Sequence, residues 1–152
     1  MSFATFTEDP QPDSPPEGAT EDITIDQLWW PKISLQQARK VVRVHGTVSD
    51  DRLLDALTAA AMSVNRDLRA WRDSVLPGQP EGMTDEQAFL YLRAVHFHAK
   101  AELLERYRDF DSSGDYDRRA EAATDNAEDA RRIERWSVSE LTGRPRLTVE
   151  LM

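Results

Sequence analysis

Apolar residues recur every three or four positions along much of this chain, which is the spacing of an amphipathic helix. The clearest series follows Ser49, a residue suited to cap a helix N-terminus, with acidic residues directly behind it. It steps by 3, 4, 3, 4, 3 and 4 residues and consists of Leu54, Leu57, Ala61, Val64, Leu68, Trp71 and Val75. The series predicts one long helix over residues 50–75.

Capping signals mark two more helices. Ser34 predicts the start of a short helix over about residues 35–44. Thr84 and Gln87 form a capping box, which predicts a helix that runs from there to about Phe110. The apolar residues of this helix fall on more than one face, so we expect it to be the central helix of the fold.

A last long helix is predicted from about Tyr116 to Leu141, and Gly143 follows as a helix-ending glycine. Small side chains on its apolar stripe allow a neighbouring helix to approach closely. The stripe consists of Ala120, Ala123, Ala127, Ala130, Ile133 or Glu134, Ser137 and Leu141. Trp136 and Val138 lie off this stripe, and we expect them to need a second contact, either with the chain's own tail or with another subunit.

Together these patterns predict an all-α fold, a small up-and-down helical bundle of three long helices and one short one with extended N- and C-terminal tails. We expect residues 1–22 to be a disordered acidic tail, because they are rich in Pro and acidic residues. We expect residues 23–33 to be an extended docking segment and residues 34–142 to be the helical domain. Residues 143–152 form the predicted extended C-terminal tail.

Acidic residues concentrate at the N-terminus. The chain of 152 residues has a formal net charge of −9, and residues 1–30 contain seven acidic side chains and no Lys or Arg. The remainder is nearly neutral and lacks the basic patch that is typical of nucleic-acid-binding proteins. The absence of Cys excludes disulfides and Cys-ligated metals. The sequence contains no apolar run of the about 18 residues that a membrane-spanning helix needs. It shows no secretory signal, so we expect an intracellular protein.

Candidate metal and catalytic motifs are weak. Residues 109–117 carry oxygen side chains at the spacing of a calcium loop, but Ala120 stands where the bidentate Glu belongs, so we interpret the segment as a helix–helix turn. His96 and His98 point about 200° apart on a helix and cannot chelate one ion. We expect both to be partly buried and hydrogen-bonded. With no nucleophile motif or phosphate-binding loop, we expect no catalytic residue, metal or cofactor.

Two features leave alternatives open. The apolar segment Ile23–Pro31 either lies against the body of its own chain or docks on another subunit or partner. Arg residues interleave with acidic residues along the predicted long helices, which indicates either surface salt bridges or a polar interface between subunits.

Several short motifs occur in a familiar order. They are Leu28-Trp29-Trp30-Pro31, Tyr91-Leu92-Arg93-Ala94-Val95, Leu104-Glu105-Arg106-Tyr107-Arg108, Asp111, Gly114-Asp115, Arg135-Trp136 and Gly143-Arg144-Pro145-Arg146. This series resembles the head completion/stabilisation protein (GpL) family of temperate contractile-tailed phages. The resemblance covers about residues 23–152.

The resemblance implies a structural virion protein without catalytic residues. Such proteins are similar to head–tail connectors, which assemble as rings, usually of twelve copies, beneath the portal protein. The ring would complete and stabilise the DNA-filled head and offer a platform to tail or neck proteins, while packaged DNA passes through without sequence-specific binding. The resemblance also implies that the protein is located in the neck of the virion, and in the host cytoplasm during assembly.

The same resemblance suggests two interface segments. The N-terminal one consists of Leu28, Trp29, Trp30 and Pro31, and the C-terminal one of Arg144, Pro145, Arg146, Leu147 and Val149. The alternative from a different class is a regulatory protein-binding module that a partner recognises through the acidic aromatic segment from Asp22 to Trp30.

Overall fold

The computed structural model describes residues 21–43, 48–107 and 116–144, and within them the all-α prediction is confirmed. Two very short strands precede five helices. In chain order the elements are β1 (Thr24–Ile25), β2 (Ile33–Ser34), α1 (Leu35–Val42), α2 (Asp50–Asp67), α3 (Arg69–Val75), α4 (Asp85–Tyr107) and α5 (Tyr116–Leu141). The predicted turn over residues 109–117 lies almost entirely outside the described residues.

The long helix predicted over residues 50–75 bends at Leu68 and is divided there into α2 and α3. Leu68 has φ −90° and ψ 1°, which lies outside the helical region. Hydrogen bonds nevertheless continue through the bend, since the Leu68 N–H donates to Val64 O at 2.9 Å and the Arg72 N–H to Leu68 O at 2.8 Å. The prediction of one uninterrupted helix was wrong, because periodicity reports residue spacing and not one residue's dihedral angles.

Helix α1 begins where the sequence predicted and ends earlier. The Ser34 hydroxyl accepts a hydrogen bond from the Gln37 N–H at 3.1 Å, which confirms the N-cap. The last helical residue is Val42 rather than Val44, because Arg43 adopts a left-handed conformation with φ 38°.

Helix α4 is the centre of the bundle, as predicted, and contacts α1, α2 and α5. Its capping box is confirmed by two reciprocal bonds. The Thr84 N–H donates to Gln87 Oε1 at 3.0 Å, and the Gln87 N–H donates to Thr84 Oγ1 at 3.3 Å.

The core is formed mainly by α1, α2 and α4. Ile33 of β2 and Leu141 of α5 complete it. Ala60 of α2 and Ala94 and Ala99 of α4 are fully buried, which lets these helices pack closely. The buried apolar cluster consists of Ile33, Leu35, Ala38, Val42, Leu53, Ala56, Leu57, Ala60, Ala61, Val64, Leu68, Leu90, Tyr91, Ala94, Val95, Ala99, Leu103 and Leu141.

Helix α5 has the predicted bounds and packs along α4. Its stripe is confirmed in the part where side chains are described, with buried Ala127, Ala130, Ser137 and Leu141. Val138 finds its second contact in the chain's own core, whereas Trp136 remains 44% exposed.

A Schellman motif ends α5 at the predicted glycine. Gly143 has φ 65°, its N–H donates to Glu140 O at 3.2 Å, and the Arg144 N–H donates to Ser139 O at 2.9 Å. No described helix is long and apolar enough to span a lipid bilayer.

The pairing of β1 with β2 was not predicted. The two strands are antiparallel, with Thr24 opposite Ser34 and Ile25 opposite Ile33. Asp22 extends the contact by accepting hydrogen bonds from the Ser34 hydroxyl and, at 3.0 Å, from the Gln36 N–H. The segment that precedes α1 is therefore fastened at both of its ends.

Candidate interaction surfaces

The connection between β1 and β2 carries an aromatic cluster that packs on the bundle. Trp30 stacks on Tyr91 of α4, with ring centroids 5.2 Å apart and an interplanar angle of 20°. Trp29 makes edge contacts with Trp30 at 5.2 Å and with Trp71 of α3 at 6.1 Å. The Arg72 guanidinium lies 6.0 Å from the Trp30 ring centroid. This N-terminal aromatic cluster ties the segment to both α3 and α4.

A partly buried polar network lies beside the cluster. Asn65 Nδ2 donates to Gln27 Oε1 at 2.7 Å, and the Tyr91 hydroxyl donates to Asn65 Oδ1 at 2.7 Å. Gln27 Nε2 donates to the Tyr91 hydroxyl oxygen at 3.1 Å and to Pro31 O at 3.3 Å. Burial raises the pKa of the Tyr91 phenol to about 12, so the hydroxyl stays protonated and can donate.

The four residues of the N-terminal interface segment therefore face different surroundings. Trp29 and Trp30 pack against their own chain, and Pro31 is partly buried. Leu28, by contrast, is fully exposed. Of the two interpretations of this segment, the structure shows contact with the chain's own body for the tryptophans, while binding to a partner stays a prediction.

The predicted C-terminal interface segment lies mostly beyond the described part of the chain. Arg144 is exposed just after α5. Pro145, Arg146, Leu147 and Val149 fall outside the described residues, so their role stays a prediction.

The loop between α3 and α4 closes over the aromatic cluster. Trp29 Nε1 donates to Gln79 O at 2.7 Å. A Cβ atom at Gly82, where φ is 139°, would lie 3.5 Å from Trp29 O. Gln79 Oε1 is buried without a hydrogen-bond partner. The loop lines an open pocket formed by Gly78, Gln79, Pro80, Glu81, Gly82, Met83 and Thr84.

Charged side chains join α4 to α5. His98 Nδ1 lies 2.7 Å from Glu134 Oε1, and Arg131 forms a bridge of 2.9 Å to Glu105 and one of 3.6 Å to Glu134. Arg106 forms a similar bridge of 3.6 Å to Asp55 of α2. These pairs join helices of one chain, which favours the salt-bridge interpretation for these arginines.

The two histidines of α4 differ. His98 is hydrogen-bonded, as predicted. His96 is only 3% exposed and its Nε2 has no hydrogen-bond partner, so the prediction was wrong for that atom. Burial lowers the pKa of His96 to about 4, and the ring is therefore neutral near pH 7.

One face of α4 remains at the surface and carries aromatic and cationic side chains. We call Phe89, Arg93, Phe97 and Lys100 the α4 stripe; they are spaced by four, four and three residues and so lie along one side of the helix. Arg93 Cζ lies 5.3 Å and Lys100 Nζ 5.8 Å from the Phe97 ring centroid. Phe89 is 62% exposed. Both phenylalanines belong to the apolar positions of the predicted helix, and only the interleaved cations could have indicated a surface.

Among the described residues, no group of three or more His, Asp or Glu side chains is placed to hold a metal ion. The described surface offers contact area instead, and its exposed large apolar side chains are Ile23, Leu28, Val41, Met62, Leu76, Phe89 and Trp136.

Comparisons with known proteins confirm the family resemblance. Residues 24–152 match the family described as phage head completion protein (GPL). The head completion/stabilization protein of Escherichia phage P2 is 28% identical over 145 residues, which covers 89% of this chain and 86% of that protein. No solved structure matches the chain. Because the family match includes every described helix, the chain belongs to the phage head completion protein (GPL) family.

Proposed function

We propose that this protein is a structural component of a phage virion that completes and stabilises the DNA-filled head. In this proposal several copies form a ring under the portal protein, and the ring is the connector to which the tail attaches. The observation that carries the proposal is the family match over residues 24–152, which spans the whole helical bundle. The similar protein of phage P2 is itself described as a head completion/stabilization protein.

The distribution of exposed apolar side chains supports assembly into a ring. A ring built from identical subunits uses two different patches on each subunit, one for each neighbour. Leu28, Phe89 and Trp136 are exposed on three different elements, namely the β1–β2 connection, α4 and α5. Such separate apolar patches on one chain suit contacts with more than one partner.

The charge distribution supports a position around DNA. The formal net charge is −9, of which residues 1–30 contribute −7 and residues 31–152 the remaining −2. A channel lined by a neutral to acidic surface would let DNA pass without holding it, since like charges repel. We propose a ring of twelve copies in the neck of the virion, with the portal on one side and tail or neck proteins on the other, and a pool of free subunits in the host cytoplasm during assembly.

The regulatory alternative requires that a partner recognise the segment from Asp22 to Trp30. Trp29 and Trp30 contribute to the protein's own aromatic cluster, and Asp22 caps α1. A partner would have to displace these contacts before it could bind, so we favour the structural role.

The test is phage assembly without this protein. We expect a phage that lacks the gene to produce heads that package DNA but neither retain it nor acquire tails, and a supplied copy to restore both. In normal particles the protein should co-sediment with mature virions, and negative-stain images should show a ring at the neck. Complete tailed virions made in its absence would overturn the proposal, and binding to one cellular partner without incorporation into virions would support the alternative.

A further inference from the structure

The α4 stripe has the composition of a binding surface for an acidic segment that contains aromatic residues. Its two cations flank the Phe97 ring rather than an acidic side chain. Within the part of the chain that the structure describes, neither Arg93 nor Lys100 has a carboxylate within 4.0 Å, whereas Arg39, Arg106 and Arg131 each do. The stripe therefore presents uncompensated positive charge beside exposed aromatic surface.

The N-terminal tail of the same protein has the complementary chemistry. Residues 1–20 contain four acidic side chains and no Lys or Arg. Two aromatic residues, Phe3 and Phe6, lie shortly before the acidic pair Glu8 and Asp9. An extended segment from Phe3 to Asp9 would span about 20 Å, and the α4 stripe spans about 16 Å along the helix. The lengths therefore agree as well as the charges.

The geometry favours the tail of a neighbouring copy over the protein's own tail. The tail joins the described fold beside the start of α1, where Asp22 accepts hydrogen bonds from the Ser34 hydroxyl and the Gln36 N–H, and the segment that follows contacts α4 at Tyr91 through Trp30. Phe89 and Arg93 are each two residues away from Tyr91, which places them about 200° around the helix, on the opposite side. A subunit's own tail would have to pass around the bundle to reach its stripe, and in a ring the tail of a neighbouring copy is the other source of the same segment. The 16 residues from Phe6 to Glu21 can extend over about 50 Å, which is long enough to reach a neighbouring subunit.

We propose that the acidic N-terminal tail of one copy docks on the α4 stripe of a neighbouring copy, with its phenylalanines against Phe89 and Phe97 and its carboxylates beside Arg93 and Lys100. This inference rests on the proposed assembly of several copies. It assigns the tail the role of a strap between subunits, which would add a second connection to the contacts made by the folded bundles.

Disulfide trapping tests the contact in the full chain, which has no Cys of its own. Ala4→Cys places a thiol between the two tail phenylalanines, and Glu86→Cys places one on the exposed first turn of α4, three residues before Phe89. The double variant is oxidised under mild conditions, both as purified protein and within virions. We expect a ladder of covalent oligomers on a non-reducing gel, with positions 4 and 86 of different chains linked by peptide mapping.

Two matched controls define the site. Ala4→Cys with Met62→Cys places the second thiol at an equally accessible position, since Met62 is 70% exposed on the outer face of α2, and should give little linkage. In the trapping background, Arg93→Glu with Lys100→Glu should lower the yield about tenfold, because attraction becomes repulsion. Arg52→Glu with Arg66→Glu changes the net charge by the same amount at exposed positions of α2. This control should leave the yield of the disulfide unchanged.

Each outcome decides the inference. A disulfide formed only within one chain, equal yields at positions 62 and 86, or no linkage in either the protein or the virion would overturn it. Such a result would leave the head completion role standing if the protein still co-sediments with virions. Conversely, specific linkage in a protein that never enters virions would support the strap and contradict the proposed function.

Discussion

Trp30 and Tyr91 stack face to face at a centroid distance of 5.2 Å, although 61 positions separate them in the chain. The contact joins the segment before α1 to the central helix. Ile33 and Leu35, which follow the segment, are buried in the core. The stack therefore connects the N-terminal interface segment to the main hydrophobic core, and the tryptophan contributes to folding whatever else it does.

We expect Trp30→Ala to lower the free energy of unfolding by about 2–3 kcal/mol, because it removes a stacked, partly buried ring. Leu28→Ala, in the same connection, should change stability by less than about 0.5 kcal/mol, since Leu28 is fully exposed. Urea denaturation followed by circular dichroism measures both. If Leu28 is an interface residue, Leu28→Ala should instead weaken incorporation into virions. Equal losses of stability in the two variants would contradict a folding role for Trp30 and an interface role for Leu28.

The polar network beside the stack should be energetically coupled. Asn65→Ala removes the acceptor of the Tyr91 hydroxyl and the donor to Gln27, and we expect a loss of about 1–2 kcal/mol. In a double-mutant cycle with Tyr91→Phe, the coupling energy should be about 1 kcal/mol. A control cycle with Thr58→Ala should give a coupling near zero, because that hydroxyl bonds only Leu54 O of its own helix. Equal coupling in both cycles would show that the network adds nothing specific.

Local signals explain why much of the fold was predictable. A helix start depends on a few neighbouring residues, and so Ser34 and the box of Thr84 and Gln87 act as the sequence indicates. The same holds for Gly143 at the end of α5. Periodic apolar residues predicted the helices because burial on one face imposes the spacing.

Contacts between distant residues explain what was missed. The strand pairing and the stack of Trp30 on Tyr91 depend on residues that meet only after folding. The bend at Leu68 changes dihedral angles without changing the apolar spacing. For the α4 stripe, the helix is apolar on several faces, and the sequence does not indicate which face the other helices leave uncovered. Phe89 is therefore exposed, although the apolar pattern predicts that the helix is covered on more than one side.

The glycine at the end of α5 provides a test of backbone conformation alone. Gly143 has φ 65°, and an added Cβ atom would meet no atom within 4 Å. We therefore expect Gly143→Ala to cost about 1 kcal/mol, purely from the left-handed conformation. Gly78→Ala is the matched control, since its Cβ would make only an ordinary contact of 3.8 Å with Val75 O and its φ is not in the positive range. Thermal unfolding compares the two, and an equal effect would contradict the assignment.

His96 should make the protein less stable in mild acid. Its pKa is near 6.5 when unfolded and about 4 when buried in the folded state, so below pH 6.5 the unfolded state binds more protons. Stability from this group is fully present above that pH and is lost as the pH falls, by about 2 kcal/mol between pH 7.5 and pH 5. His96→Leu should remove that part of the pH dependence in urea titrations, while His98→Gln should retain it. An unchanged slope in His96→Leu would show that other groups cause the loss.

Truncation after Gly143 separates folding from attachment. The core contributed by α5 ends at the buried Leu141, and the Schellman bond of Gly143 to Glu140 survives the cut. We therefore expect a folded monomer whose thermal midpoint is close to that of the full chain. The removed residues alternate polar and apolar side chains over positions 146–151, a pattern that suits pairing with an exposed strand of a partner. The truncated protein should accordingly fail to sediment with DNA-filled heads, and Leu147→Asp with Val149→Asp in the full chain should reproduce that failure without shortening the protein. Truncated protein that still completes heads would show that the C-terminal interface segment was assigned wrongly.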